Sequence, residues 1–258
     1  MVLLLIFAVG LVAGFVDAIA GGGGLIMLPG LIFSGLPVSG AIATNKLCGT
    51  FGALTSTLKF AHAQKIDWRA CGLMSLPVVL GAYAGSRSID RLPSAWAEPL
   101  VIILMVAITL FVVFNPGFGM AKATNQQLSQ ASSNPSIRQI LGSLLAGGII
   151  GFHDGFFGPG TGVFLVFSLL SIWPIDFLRA TGTTKILNFL ANATALITFA
   201  VTGNIDYSRG IFGAVGVVIG SFLGATFATQ KGAKLIKPIF VAVTTALVSK
   251  LLFDYATR

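Results

Sequence analysis

Residues 14–29 read GFVDAIAGGGGLIMLP and are followed by ATNKL at 43–47; the same order returns as GFHDGFFGPGTGVFLV at 151–166 and TGTTKI at 181–186. Each copy sets an aspartate, Asp17 or Asp154, ahead of a glycine-rich break in an apolar run. A lysine, Lys46 or Lys185, then stands inside the next apolar run. Ionised side chains and interrupted backbone are both costly in hydrocarbon, where no water satisfies them. A pattern repeated at that cost marks a site, and its duplication sets the architecture.

The surroundings are strongly apolar. Of the 258 residues, 55% are hydrophobic and 9% charged, and the mean hydropathy is +0.92. No water-soluble domain of this size needs such a composition, so an all-α polytopic membrane protein is expected. The formal net charge is +8, but Lys and Arg lie mostly in short loops, which sets topology rather than making a nucleic-acid surface. Cys48 and Cys71 lack metal-ligand spacing and imply no disulfide; neither a metal nor a cofactor is expected. The N-terminus resembles a signal peptide ending at Ala18-Ile19-Ala20, yet it lacks a basic start and its pattern recurs at Gly151, so it reads as a mature segment.

Long apolar segments predict helices over 1–18, 38–61, 70–88, 96–114, 137–153, 178–202, 210–228 and 236–254. Two shorter ones, 25–36 interrupted by Pro29 and 163–173 closed by Pro174, fall short of a ~30 Å hydrocarbon core. They read as broken or re-entrant half-helices, giving about 8–10 membrane segments in all. The polar stretch 115–136 reads as a linker between a first repeat, 1–114, and a second, 137–258. Ile66-Asp67-Trp68 matches Ile205-Asp206-Tyr207, Gly81 and Gly85 match Gly220 and Gly224, and Pro99 matches Pro238, all at an offset of 139; Asp17 matches Asp154 at 137. Residues 1–36 would be about 54 Å long as one helix, so they enter and return or cross twice. Three further helices make each half net odd, and the second half is expected to be inverted. A count of nine basic residues on the expected cytoplasmic side against five on the other leans the same way.

Lys46 and Lys185 each lie about seven residues into a helix, roughly 10 Å deep. Thr181, Lys185, Asn188 and Asn192 share one helix face, as do Asn45, Gly49, Gly52 and Ser56, and polar stripes of this kind belong in the protein interior or a wet cavity. One reading has both lysines offer ammonium charge to an anion, aided by Asn45, Thr184 and Asn188. The other has them in structural ion pairs with the aspartates, holding the halves together. Gly22, Gly23, Gly24, Gly160 and Thr161 precede the short segments, where backbone N–H groups and a helix N-terminus suit an anion; close packing by small residues is the plainer account. Asp17 and Asp154 are open to three roles: counter-ion, helix cap, or proton carrier. His153, with Val16 at the matching place, is a one-sided proton relay or simply a satisfied polar residue. Lys65, Asp67, Arg69, Arg87, Asp90 and Arg91 read as hairpin anchors, with Trp68, Trp96 and Trp173 in aromatic belts.

GFVDAIAGGGGL, ATNKL and GFHDGFFGPGTG resemble the TauE/SafE family of sulfite exporter-like and toluene-sulfonate-uptake permeases, nearest its YfcA-like branch, over almost the whole chain. The resemblance implies a multi-pass plasma-membrane transporter of small anions, often sulfur oxyanions or sulfonates such as sulfite, thiosulfate or sulfoacetate. By position the motif falls on Asp17, residues 21–24, Asn45 and Lys46, and on Asp154, Gly158, Gly160 and Lys185; Thr184 stands where the first half has Asn45. The expected function is therefore secondary transport of a small anion across the lipid bilayer, driven by an ion gradient, protons foremost, since no nucleotide-binding signature is present. An anion channel is one alternative. An intramembrane aspartyl enzyme is another, and needs Asp17 and Asp154 within about 5 Å as a shared-proton dyad. Glycine-rich helix faces would allow a homodimer. The geometric expectation is that Lys46 and Lys185 converge near the middle of the membrane.

Overall fold

The computed structural model describes residues 1–89 and 135–231, with scattered positions from 91 to 110. Among the described residues there are eight helices: α1 (Val2–Ala20), α2 (Gly24–Phe33), α3 (Val38–His62), α4 (Trp68–Ile89), α5 (Ile137–Phe156), α6 (Thr161–Ile172), α7 (Phe177–Thr202) and α8 (Tyr207–Lys231). The expected helix at 236–254, most of the one at 96–114, and nearly all of the 115–136 linker lie outside the described residues. The surface is apolar, with Leu4, Leu58, Leu76, Ile149 and Ile197 exposed, while Lys46, Lys185, Asn188 and Asp154 are buried. That inside-out distribution suits lipid as solvent, where apolar surface has no reason to hide and polar groups do.

The two short segments are the return arms of hairpins. α1 runs to Gly21, which takes φ +74° in the left-handed region open to glycine, and α2 comes back beside it, Gly23 against Asp17 and Gly30 against Val9. α5 and α6 do the same, with Gly158 at φ +95°. The hairpin tips abut. A methyl group built on Gly21 would lie 2.5 Å from the backbone of Gly162, and one on Gly24 would lie 3.0 Å from Pro159 Cα. Only residues without side chains let two tips approach so closely.

Packing then crosses between the halves. α8 lies along α1, with Gly216, Gly220 and Gly224 against Phe7, Leu11 and Phe15. α4 lies along α5 in matching fashion, with Gly81 against Gly148 and Gly85 against Phe152. Both pairs are parallel, because contacts climb together on the two helices. α3 and α7, by contrast, are antiparallel: Gly40 faces Asn204, Gly49 faces Asn192, and Gly182 faces Phe60 and Lys65. Each half thus lends its last described helix to the bundle of the other. The distribution of basic residues follows from this. One end of the bundle carries Lys59, Lys65, Arg69, Arg138 and Arg179, and the opposite end carries Arg87, Arg91 and Arg209.

Two loop readings change. Asp67, read as a hairpin anchor, acts as a helix cap, and its repeat match Asp206 does the same: Asp67 Oδ1 accepts from the amides of Arg69 and Ala70, and Asp206 Oδ1 from that of Arg209. Their own amides donate across the halves, Asp67 N to Thr183 Oγ1 (2.9 Å) and Asp206 N to Thr44 Oγ1 (3.0 Å). The Arg209 amide, with its guanidinium, holds the Asp206 carboxyl below the usual carboxylate range. Trp173 is not in an interfacial belt. It is 7% exposed, packed among Met74, Leu169 and Ile175, and its Nε1 donates to Ser143 Oγ at 3.0 Å. Trp68 and Trp96 are exposed.

Candidate functional site

The four charged residues singled out in the two motifs meet crosswise. Lys46 Nζ, from α3, donates to Asp154 Oδ2 at 2.8 Å and to the Asp154 carbonyl. Lys185 Nζ, from α7, donates to Asp17 Oδ2 at 3.1 Å and to the Asp17 carbonyl. Each lysine therefore satisfies the carboxylate and an end-of-helix carbonyl of the opposite half. Both carbonyls sit where α1 and α5 approach their tips, so a cation there also meets the negative end of a helix.

The lysines do not stand side by side. By the register of the α3–α7 crossing, Lys185 is level with residue 57 of α3, about eleven residues or about 16 Å along from Lys46. They approach from opposite sides of the crossing, and each ammonium reaches inward to a carboxylate that borders one shared cavity. That cavity has a volume of about 40 Å³. Asp17, Asp154, Asn45, Asn188 and Asn192 supply its polar wall, and Gly21, Gly23, Gly24, Gly158, Gly160 and Gly162 its tip wall. A void needs roughly 10–15 Å³ by the same measure to admit one water, so this one admits a few waters or one compact oxyanion.

Among the candidate residues, Asn45, Asn188, Gly23, Gly24 and Gly160 line the cavity. Asn45 is 6% exposed, and its amide makes no hydrogen bond within the described residues. Asn188 Oδ1 accepts from Asn192 Nδ2 at 3.0 Å, which leaves the Asn188 amino group for the cavity. The Gly23 amide is already engaged, donating to Asp17 Oδ1 at 3.1 Å. Gly22 and Thr161 are buried at the tips without lining the void, and Thr184 is buried with its hydroxyl unpartnered. Lys46 and Lys185 are fully buried behind the aspartates. Asn192, Gly49 and Gly52 belong to the cavity as well, though the site reading omitted them. Their positions on the two polar stripes were the available signal; nothing in the chain order says that the stripes face each other.

Among the described residues no His, Cys, Asp and Glu group of three could hold a metal ion. Each aspartate is engaged by an ammonium group rather than by the other aspartate, which is the opposite of a shared-proton dyad.

The family model described as "Sulfite exporter TauE/SafE" matches residues 6–251, and the chain belongs to that family. It is 33% identical over 98% of its length to a probable membrane transporter protein of Haemophilus influenzae, covering 95% of that protein. It is 30% identical to the probable membrane transporter protein YfcA of Escherichia coli, over 96% of this chain and 89% of that one. A more distant relative, the probable membrane transporter protein YunE of Bacillus subtilis, is 24% identical over 97% of both chains. No solved structure matches. The chain is thus a membrane transporter, not an enzyme.

Proposed function

We propose that this transporter is a secondary, proton-coupled carrier of small anions in the plasma membrane, with sulfur oxyanions as its foremost substrates. Two halves, 1–114 and 137–258, joined by 115–136, rock against each other around the cavity at the hairpin tips. The observation that carries the reading is the crosswise pairing of two buried lysines with two aspartates around one polar void. In transporters, broken segments at matching positions of two repeats mark the midplane site. The antiparallel run of the matching helices α3 and α7 supports inversion of the halves, and the excess of basic residues at one end supports a cytoplasmic side there.

The anion sits among the Asn45 and Asn188 amides, within reach of an ammonium group released from its aspartate. The volume favours inorganic oxyanions or the smallest sulfonates over aromatic ones in this conformation. A homodimer is compatible with this, but Gly14, Gly85, Gly151 and Gly220 are packed within the chain, so a second copy would use other surfaces.

The test is flux of labelled sulfite, thiosulfate and sulfoacetate into proteoliposomes with and without a pH gradient. Saturable flux abolished by an uncoupler separates a carrier from a channel. Asn45→Leu and Asn188→Leu keep both ion pairs and remove hydrogen bonds to a charged ligand, each worth roughly 1.5–3 kcal/mol, so flux should fall about tenfold or more. Undiminished flux in both variants removes the cavity as the site.

A further inference from the structure

We propose that the two lysine–aspartate pairs have divided roles: Lys185–Asp17 opens to take one proton and one anion, while Lys46–Asp154 stays closed and locks the halves together. The proposal rests on the anion-carrier reading above and assigns its coupling to one half. The pairs are equivalent in connectivity but not in setting. The Asp17 side chain is 15% exposed and that of Asp154 is 1%. Lys46 Nζ is wedged under the second tip, where a methyl group built on Gly158 would lie 2.6 Å from it.

The second tip is also braced by side chains. Thr161 Oγ1 donates its hydrogen to the Gly158 carbonyl at 2.7 Å, so its oxygen is left to accept. His153 Nδ1 lies 3.3 Å from that oxygen and donates to it in the tautomer that carries the ring proton on Nδ1. A chain from His153 through Thr161 to Gly158 thus fixes the loop over Lys46. At the matching places the first tip has Val16 and Gly24, and no such chain exists there. Besides the backbone bond from Gly21 N to the Asp17 carbonyl, what holds the first tip is the bond from Gly23 N to the Asp17 carboxylate itself.

A proton arriving from cavity water adds to Asp17 Oδ2 and removes the charge that holds Lys185. The ammonium then turns to the anion, while Gly23 N–H keeps its hold on Oδ1. Before the step the pair is one ammonium and one carboxylate; after it, one ammonium, one anion and a neutral carboxylic acid. For a monovalent anion the sum is zero in both states. One proton therefore accompanies one monovalent anion, and the step moves no net charge. Facing Asp17 are Lys185 from α7 and, across the cavity, Asp154 with its Lys46 and the thiol of Cys48.

Two measurements test this. Infrared difference spectra of the purified protein on addition of sulfite at acid pH, as hydrogensulfite, should show a new carboxylic-acid band that is absent in Asp17→Asn and present in Asp154→Asn. Should Asp154→Asn not fold, His153→Val takes its place and keeps the band. In proteoliposomes a pH gradient should drive accumulation of labelled sulfite while a potassium diffusion potential changes it less than twofold. Asp17→Asn should lose the accumulation. A band that survives in Asp17→Asn, its loss from a folded Asp154→Asn, or uptake driven by voltage overturns the assignment alone. Absence of any sulfite flux in the wild type overturns the carrier reading together with it.

Discussion

Lys46 is the clearest case of a residue whose chemistry was legible and whose partner was not. A lysine inside an apolar run demands an anion, and the sequence offers two candidates, Asp17 in its own half and Asp154 in the other. The structure selects the distant one. Removing one member of a buried pair leaves an uncompensated charge, at a cost of about 3–5 kcal/mol. Lys46→Ala should therefore lower unfolding stability in detergent by about that amount, and Lys46→Ala with Asp154→Ala should recover much of it, as read by thermal or denaturant unfolding. Lys46→Ala with Asp17→Ala should recover nothing, because that change orphans Lys185 as well. Asn192 shows the reverse limit. Its helix stripe was visible, but only the approach of α3 makes it a cavity wall, with Gly49 leaving room for its amide.

At the level of elements, the boundaries of α1, α3, α5 and α7 follow from apolar runs and their interruptions, and the short α2 and α6 from glycine clusters and the return of apolar residues. The pairing of elements is another matter. α8 packs along α1 through Gly216, Gly220 and Gly224, and α4 along α5 through Gly81 and Gly85. In lipid such contacts are held by close packing rather than by exclusion of water, so a methyl group matters. One built on Gly220 would lie 2.0 Å from Leu11 O, whereas one on Gly148 meets nothing within 4 Å. Gly220→Ala and Gly81→Ala should each cost about 1–3 kcal/mol through overpacking, with Gly148→Ala near neutral. Melting in detergent checks all three, and equal effects at Gly220 and Gly148 would dismiss the helix pairing. Thr44 and Thr183 carry a second cross-link, each accepting the amide of an aspartate cap from the other half.

For the whole molecule, the antiparallel crossing of α3 and α7 predicts sidedness. Cysteines placed at His62 and Ser136 should react with an impermeant maleimide from one face of the membrane, and cysteines at Gly35 and Asn204 from the other. Native Cys48 and Cys71 are buried and should contribute little background. Labelling of all four positions from a single face would rule out the inverted arrangement.

Membrane class, the family, the existence of the hairpins and the identity of the charged residues were determined by the sequence itself. Hydropathy, glycine clusters and out-of-place charges are local properties, each readable within one segment. The exchange of α4 and α8 between halves, the crosswise choice of ion-pair partners and the inequality of the two tips were decided by tertiary structure. These depend on which segments lie beside which, and equivalent repeats offer every contact twice, once within a half and once across. Local composition is the same in both cases; only the folded geometry brings Gly220 to Leu11 and Lys185 to Asp17, and only there does His153 brace one tip where Val16 offers the other no such bond.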